Sequence, residues 1–428
     1  MIDKSVAAVS SKAAVISKAT AASEQIKSLK QALLSAWNDR MIQDLALMYR
    51  HTVRLFFGPG TQLYGRDALI SALVDIHAAF PDLEFSIDGI AADNPEDQEL
   101  RVFISWTMRG THLGFGRLGA PTGNRMMLTG ASLYHLSRGT ITEIREAADN
   151  GSLLNQLKID EDYYIQRTSV PKPYFDLQML FGDTERTSGQ DQPDQLNNPD
   201  YPGQPELLNQ TELKNSINQQ LTNLIKTIWN SRSPGVISGT HHEGCKYTLP
   251  AGFLLQRSLR HADIRQTDLR QSDTMTIASR LSGTIPDAVK QDCSLYQAFV
   301  YSMLAMLPDA RAYIDEIILD ERTLGNLSES GDPPSLSTSF SSAQIQAAEG
   351  YQQPPIYAAV RWTLQGVHSG EGYLGLPADR QVTIPLISEY QIKNGKVVSE
   401  RIFLSELDLR KKSTPIGSEH GAANGRFF

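Results

Sequence analysis

Few residues in this chain have the types and spacing that chemistry requires. Gly114, Gly116 and Gly119, within WTMRGTHLGFGRLGAP at 106–121, spell the G-x-G-x-x-G of a dinucleotide-binding turn. Such a turn works between a strand and a helix, because the helix N-terminus holds the pyrophosphate. Here Pro121-Thr122-Gly123 and an alternating segment at 126–136 follow, so the glycines read as a connection between strands. Asp149 ends the segment ITEIREAAD, and His135 precedes it across a Ser-Arg-Gly turn at 137–139. A carboxylate at an apolar wall has its pKa raised toward the range useful for moving a proton beside a carbonyl, and a histidine can hydrogen-bond that carbonyl or the aspartate. Two bland readings stay open: Asp149 can cap the following helix, SLLNQL, and His135 can face solvent. His112, in Gly-Thr-His, recurs as His368, which favours a loop contact over catalysis. His241, His242, Glu243 and Cys245 crowd together like metal ligands. Adjacent strand histidines point to opposite faces, however, and no second ligand pair has finger or helix spacing, so neither metal nor cofactor is expected.

The elements that must position these residues come from 428 residues, enough for two to four domains, with 40% hydrophobic residues for their cores. Net charge is −8 and no Lys/Arg-rich run occurs, which argues against a nucleic-acid partner. Two cysteines, Cys245 and Cys293, in no redox spacing suit a reducing compartment, and a cytoplasmic location is expected. Lys4, Lys12 and Lys18 interrupt the Ala-rich start, which reads as a flexible or helical leader over 1–23. The longest apolar run, 298–307, is about half of what a membrane helix needs, so no membrane partner is expected.

An internal repeat organises the rest. WTLQGVHSGEGYLGLP at 362–377 matches 106–121 without a gap, at an offset of 256 residues. AWNDR at 36–40 pairs with IWNSR at 228–232, and FPD at 80–82 with LPD at 307–309, so all four tryptophans sit at equivalent places. The growing offset requires insertions in the second copy, near 256–292 and 321–354. The expected organisation is a domain over 24–158, a Gln/Asn/Asp/Pro-rich linker over 159–214, a second domain over 215–412 and a tail over 413–428.

Each copy reads as helices followed by strands. Ile26, Leu29, Leu33 and Trp37 share a helical face, as do Ile217, Leu221, Ile225 and Ile228. Further helices at 66–79 and 294–306 stop at Pro81 and Pro308. From there the period is two, with a hairpin signal at Asn394-Gly395. Without a bulge, Ile141, Glu143, Arg145, Ala147 and Asp149 share one strand face. The expected fold class is α+β, twice, each copy with helices on one face of a curved antiparallel sheet.

W-x-x-x-G-T-H-x-G, then P-T-G, then Ile141, Glu143 and Asp149 before LLNQL at 153–157 resemble the SnoaL-like polyketide cyclase group of the NTF2-like (cystatin-like) superfamily. Gly58-Pro59-Gly60, Tyr64-Gly65-Arg66 and Phe80-Pro81-Asp82 agree with it. The resemblance implies tandem domains with a cone-shaped cavity, and an acid-assisted aldol ring closure of an aromatic polyketide ester without metal or nucleotide. The acid falls on Asp149, with His135 and His112 as companions and Trp106, Phe57 and Tyr134 against the substrate. Relatives carry a histidine where this chain has Phe57, which implies a more apolar pocket. In the second copy Ser405 and Gln391 replace Asp149 and His135, so only the first domain is expected to be competent. A small hydrophobic or aromatic molecule is the expected partner, and the two domains are expected to pair as an intrachain pseudo-dimer, with further homo-oligomers open. The rival expectation is a non-catalytic binding module, favoured if Asp149 bonds the backbone at 151–153.

Overall fold

A computed structural model describes residues 2–57, 61–95, 98–160, 164, 205–250, 253, 293–320, 355–371, 377 and 379–405. The expected insertions, the tail and Gly58-Pro59-Gly60 fall outside the described residues.

The first half runs α1 (Ile2–Asn38), α2 (Ile42–Met48), β1 (Tyr49–Phe57), β2 (Thr61–Tyr64), α3 (Arg66–Ala79), β3 (Glu84–Asp93), β4 (Glu99–Thr111), β5 (Arg125–Ser137), β6 (Thr140–Ala148) and α4 (Asn150–Leu157). Its six strands are ordered β2-β1-β6-β5-β4-β3. Ile26, Leu29 and Leu33 are buried on one face of α1 and, with Leu69 and Leu73 of α3, cover the inner face of that sheet. The glycine-rich stretch joins β4 to β5 through a small turn that bridges Gly116 and Gly119, with no helix start.

One expectation needs correcting. The sheet is mixed, because β1 runs parallel to β6 while the other pairs are antiparallel. Antiparallel neighbours can be joined by a hairpin, but β1 reaches β6 only through α3 and four further strands, so no turn ties their directions.

The second half runs α5 (Pro205–Trp229), a 3-10 turn at Pro234–Val236, α6 (Ile237–Thr240), β7 (His241–Thr248), α7 (Cys293–Met306), β8 (Arg311–Leu319), β9 (Ile356–Val367), β10 (Gln381–Lys393) and β11 (Lys396–Leu404). Helix α5 begins inside the stretch expected to be linker. The strand order β7-β11-β10-β9-β8 repeats that of β1-β6-β5-β4-β3, again with one parallel pair, β7 with β11.

The repeated words in the sequence turn out to be repeated hydrogen bonds. Asn38 Nδ2 donates to Phe85 O at 3.0 Å and its Oδ1 accepts from Phe85 N at 2.7 Å; Asn230 holds Ala312 in the same way at 3.2 and 2.6 Å. Asp82 Oδ1 accepts from Thr111 N, and Asp309 Oδ1 from Val367 N, both at 2.7 Å. Thus the helix end of W-N and the turn of P-D are both fastened to the sheet. Both hairpins, Arg138-Gly139 and Asn394-Gly395, place two residues at positive φ, the primed turn that fits strand twist.

The outer faces of the two sheets meet. Ala91, Phe103, Ala131, Leu133 and Ala147 pack with Ile318, Ala359, Ile387 and Phe403 in one cluster. Ion pairs flank it: Arg101 grips Asp93 through two bonds of 2.8 and 2.6 Å and reaches Glu316 at 3.0 Å, while Arg401 reaches Asp88 at 3.0 Å and Glu389 at 3.3 Å. Both faces of each sheet are therefore covered, one by its helices and one by the other sheet.

Candidate functional site

The inner face of the first sheet holds one short polar chain in an apolar setting. Trp106 on β4, Ser132 and Tyr134 on β5, Glu146 on β6 and Tyr49 at the start of β1 gather there. Trp106 Nε1 donates to Ser132 Oγ at 2.9 Å, and Ser132 Oγ donates to Glu146 Oε2 at 3.1 Å. Glu146 Oε1 accepts no hydrogen bond from the described residues, and the residue keeps part of its surface accessible. Enclosure by protein pushes the Glu146 carboxyl up to about 7, against the Ser132 bond, which favours the ionised form. Burial also raises the Tyr134 and Tyr49 hydroxyls, with the nearby Glu146 adding to the effect, so both stay neutral donors. Gly130 makes room for the array, since a side chain there would collide with the Trp106 indole. A carboxyl poised near neutrality, with one oxygen tethered and one without a partner among the described residues, can take up or release a proton at a reacting carbon.

The second half repeats the scaffold but not the chemistry. Trp362 Nε1 donates to Ser388 Oγ at 3.0 Å, as in the first half. Opposite Ser388, however, stands Ile402, and the carboxylate has moved two residues back to Glu400, opposite Tyr390. Glu400 Oε2 meets His241 Nε2 at 3.0 Å and its Oε1 accepts from the Tyr296 hydroxyl at 2.9 Å. His241 Nδ1 in turn lies 3.0 Å from Thr240 Oγ1. Both carboxylate oxygens and both ring nitrogens are engaged, and Glu400 is 1% exposed.

Residues 27–157 match the family model of SnoaL-like polyketide cyclases. Among solved structures, the chain is similar to a candidate SnoaL-like polyketide cyclase of Jannaschia sp. CCS1 at 16% identity, over 32% of this chain and 94% of that one, with a TM-score of 0.29. It is similar to IdmH of Streptomyces antibioticus at 22% identity, over 32% and 99%, with a TM-score of 0.27. It is also similar to TsrD of Streptomyces laurentii at 18%, over 31% and 95%, with a TM-score of 0.26. No curated protein matches the chain.

Within this SnoaL-like stretch, the residues expected from sequence separate. Trp106 and Tyr134 stand in the polar array. Phe57 pairs with Glu146 in strand register, and its side chain lies outside what the structure describes. Asp149 is the N-cap of α4: its Oδ1 accepts from Ser152 N at 3.1 Å. Its counterpart Ser405 reaches across to the first half, where its Oγ accepts from Ala148 N at 3.3 Å. His135 points to the outer face, 3.3 Å from Glu316 of the second half. His112 is buried in the β4–β5 loop, where its Nδ1 meets Thr122 N and Oγ1 at 3.3 Å each, and burial lowers its pKa. Glu143 is engaged by Arg54 at 2.8 Å and Arg145 at 2.7 Å.

Glu146 escaped the sequence reading for an identifiable reason. The expected shared face of Ile141, Glu143, Arg145, Ala147 and Asp149 is broken by a bulge, since Leu136 pairs with Ile141 but His135 pairs with Glu143. The extra residue, Thr142, reverses the alternation, so Ile144, Glu146 and Ala148 face inward and Glu143, Arg145 and Ala147 outward. The apolar Ile144 and Ala148 flanking a lone glutamate are the signal that would have found it. Among the described residues, no group of three or more His, Cys, Asp or Glu side chains is placed to hold a metal ion, and no helix is long and apolar enough to cross a membrane.

Proposed function

We propose that residues 27–157 form an acid/base enzyme of the SnoaL-like polyketide cyclase type, acting on a small hydrophobic carbonyl compound by proton transfer, as in an aldol-type cyclisation or an isomerisation. Glu146 is the group that moves the proton. The observation that carries this reading is its carboxyl: enclosed, raised to about 7, and hydrogen-bonded through one oxygen only among the described residues. At neutral pH such a group is present in both protonation states, so it can accept a proton alpha to a carbonyl and return it to the developing alkoxide. Tyr134 and Tyr49 are the neutral hydroxyls nearest to orient the carbonyl.

In this proposal the second half performs no chemistry and serves as the other member of an intrachain pseudo-dimer, a role supported by the shared cluster between the sheets. The test starts from the intact chain. Native mass spectrometry identifies a co-purifying ligand, and turnover of that ligand's carbonyl precursors is compared between the wild type and Glu146→Gln. Loss of turnover with retained ligand binding supports the enzyme.

One observation favours a second reading, a non-catalytic binding module. Asp149, the acid implied by the family resemblance, is engaged by the backbone at Ser152. Ligand binding without turnover, equal in wild type and Glu146→Gln, would decide for it.

A further inference from the structure

The direction of the hydrogen bonds around Ser132 carries a consequence for the proton on Glu146. An indole Nε1 can only donate, so Trp106 occupies an acceptor site of Ser132 Oγ. The serine's single proton must then go elsewhere, and two acceptors lie near it: Glu146 Oε2 at 3.1 Å and the Tyr134 hydroxyl oxygen. An ionised carboxylate is the stronger acceptor, so the proton points to Oε2.

We infer that Trp106 and Ser132 act as a donor pair that directs the Ser132 proton to Oε2 of ionised Glu146 and so favours Oε1 as the oxygen that carries the transferable proton. A proton on Oε2 would require Ser132 to turn its own proton away, toward the Tyr134 hydroxyl oxygen, and so to give up the charge-assisted bond that favours the ionised carboxylate. Oε1 accepts nothing from the described residues, and Glu146 keeps accessible surface, so that oxygen is the one open to a substrate. Ser132 and Trp106 are thus positioning residues for Glu146. The inference deepens the reading of Glu146 as the proton-handling group and rests on it for its relevance to catalysis, although the hydrogen-bond logic stands without a substrate.

The second half provides an internal control, because Trp362 and Ser388 form the same pair and Ile402 stands where Glu146 would be. The groups facing Glu146 are Tyr134 from β5 and Tyr49 from β1, both held neutral, with Ser132 between them.

The experiment uses the full chain and needs no substrate. The Glu146 carboxyl is titrated by difference infrared spectroscopy, with Glu146→Gln as the blank that assigns the band. Ser132→Ala removes the donor to the ionised form and raises the midpoint by about one to two pH units, the usual worth of a hydrogen bond to a charged group. Trp106→Phe frees Ser132 to rotate and raises it by a smaller amount; Ser388→Ala leaves it unmoved. Should Ser132→Ala not fold, Ser132→Cys keeps the volume with a weaker donor and must raise the midpoint too. An unchanged or lowered midpoint in the Ser132 variant overturns the inference, as does an equal shift from Ser388→Ala. If the shifts occur and no turnover is ever found, the donor pair stands and the catalytic reading falls.

Discussion

The two halves of this chain carry the same Trp–Ser pair on equivalent strands, yet they place an inward-facing carboxylate at adjacent inward positions and obtain opposite results. Glu146 in the first half has one tethered oxygen and one without a partner among the described residues. Glu400 in the second is shared by His241 and Tyr296 and almost wholly buried. A carboxylate with every oxygen engaged is held in place but has nothing left to offer a ligand; one with a spare oxygen is costly to enclose and is retained where it does work. What separates a site from a strut here is hydrogen-bond saturation, since both groups lie in apolar surroundings on equivalent strands.

The largest expected effect separates the halves by activity. Glu146→Gln preserves volume and removes the titratable proton, so turnover falls about 10²–10⁴-fold, as a positioned acid/base is usually worth. Glu400→Gln leaves turnover within a few fold as long as the second half stays folded.

Stability should show the reverse. Glu400→Ala strands His241 and the Tyr296 hydroxyl in the interior of the second half and costs about 3–5 kcal/mol, read from denaturant midpoints. Glu146→Gln should be neutral in acid and stabilising at neutral pH and above. The Glu146 carboxyl is raised, so its favourable contribution is complete below its ordinary 4.5 and is lost as pH climbs to about 7; glutamine escapes that loss.

The interface between the halves has the opposite pH sense. Burial alone would raise the Glu316 carboxyl, but His135, Arg101 and Arg361 outweigh it and hold it down at about 2. Its contribution is therefore present above 4.5 and lost as pH falls toward 2. Melting curves of wild type and Glu316→Gln between pH 5 and pH 2.5 should converge toward the acid end.

The smallest expected effect concerns Asp149. Asn is itself a good cap, so Asp149→Asn should change stability by well under about 1 kcal/mol and turnover by less than threefold. A loss of 10² or more in turnover would return the proton-handling role to Asp149.

Much of the architecture could be read from residue patterns. The repeated W-N, P-D and G-x-H words marked positions where the helix ends, turns and the long β4–β5 connection are bonded to the rest, because only particular side chains make those bonds. Helical faces at 26–37 and 217–228 followed from period alone. The parallel edge pair was not legible, since alternation along a strand says nothing about the direction of its neighbour. Trp106 and Tyr134, expected against a substrate from the family resemblance, lie on the inward face beside Ser132 and Glu146. Glu146 was missed because one bulged residue, Thr142, inverts the parity of everything after it in β6, and period-two reading cannot see a bulge. His135 faces outward by the regular alternation of β5, opposite to Tyr134 and Leu136, and its partner, Glu316, lies in the other half, a pairing that no local pattern encodes.

The most direct test of the account is a carbon-13 NMR titration of the Glu146 side-chain carboxyl in the intact chain, assigned by its disappearance in Glu146→Gln. The account predicts a midpoint near 7, shifted by a bound ligand. A midpoint at the ordinary 4.5, unmoved by ligand, would contradict it and leave the first half without its proton-handling group.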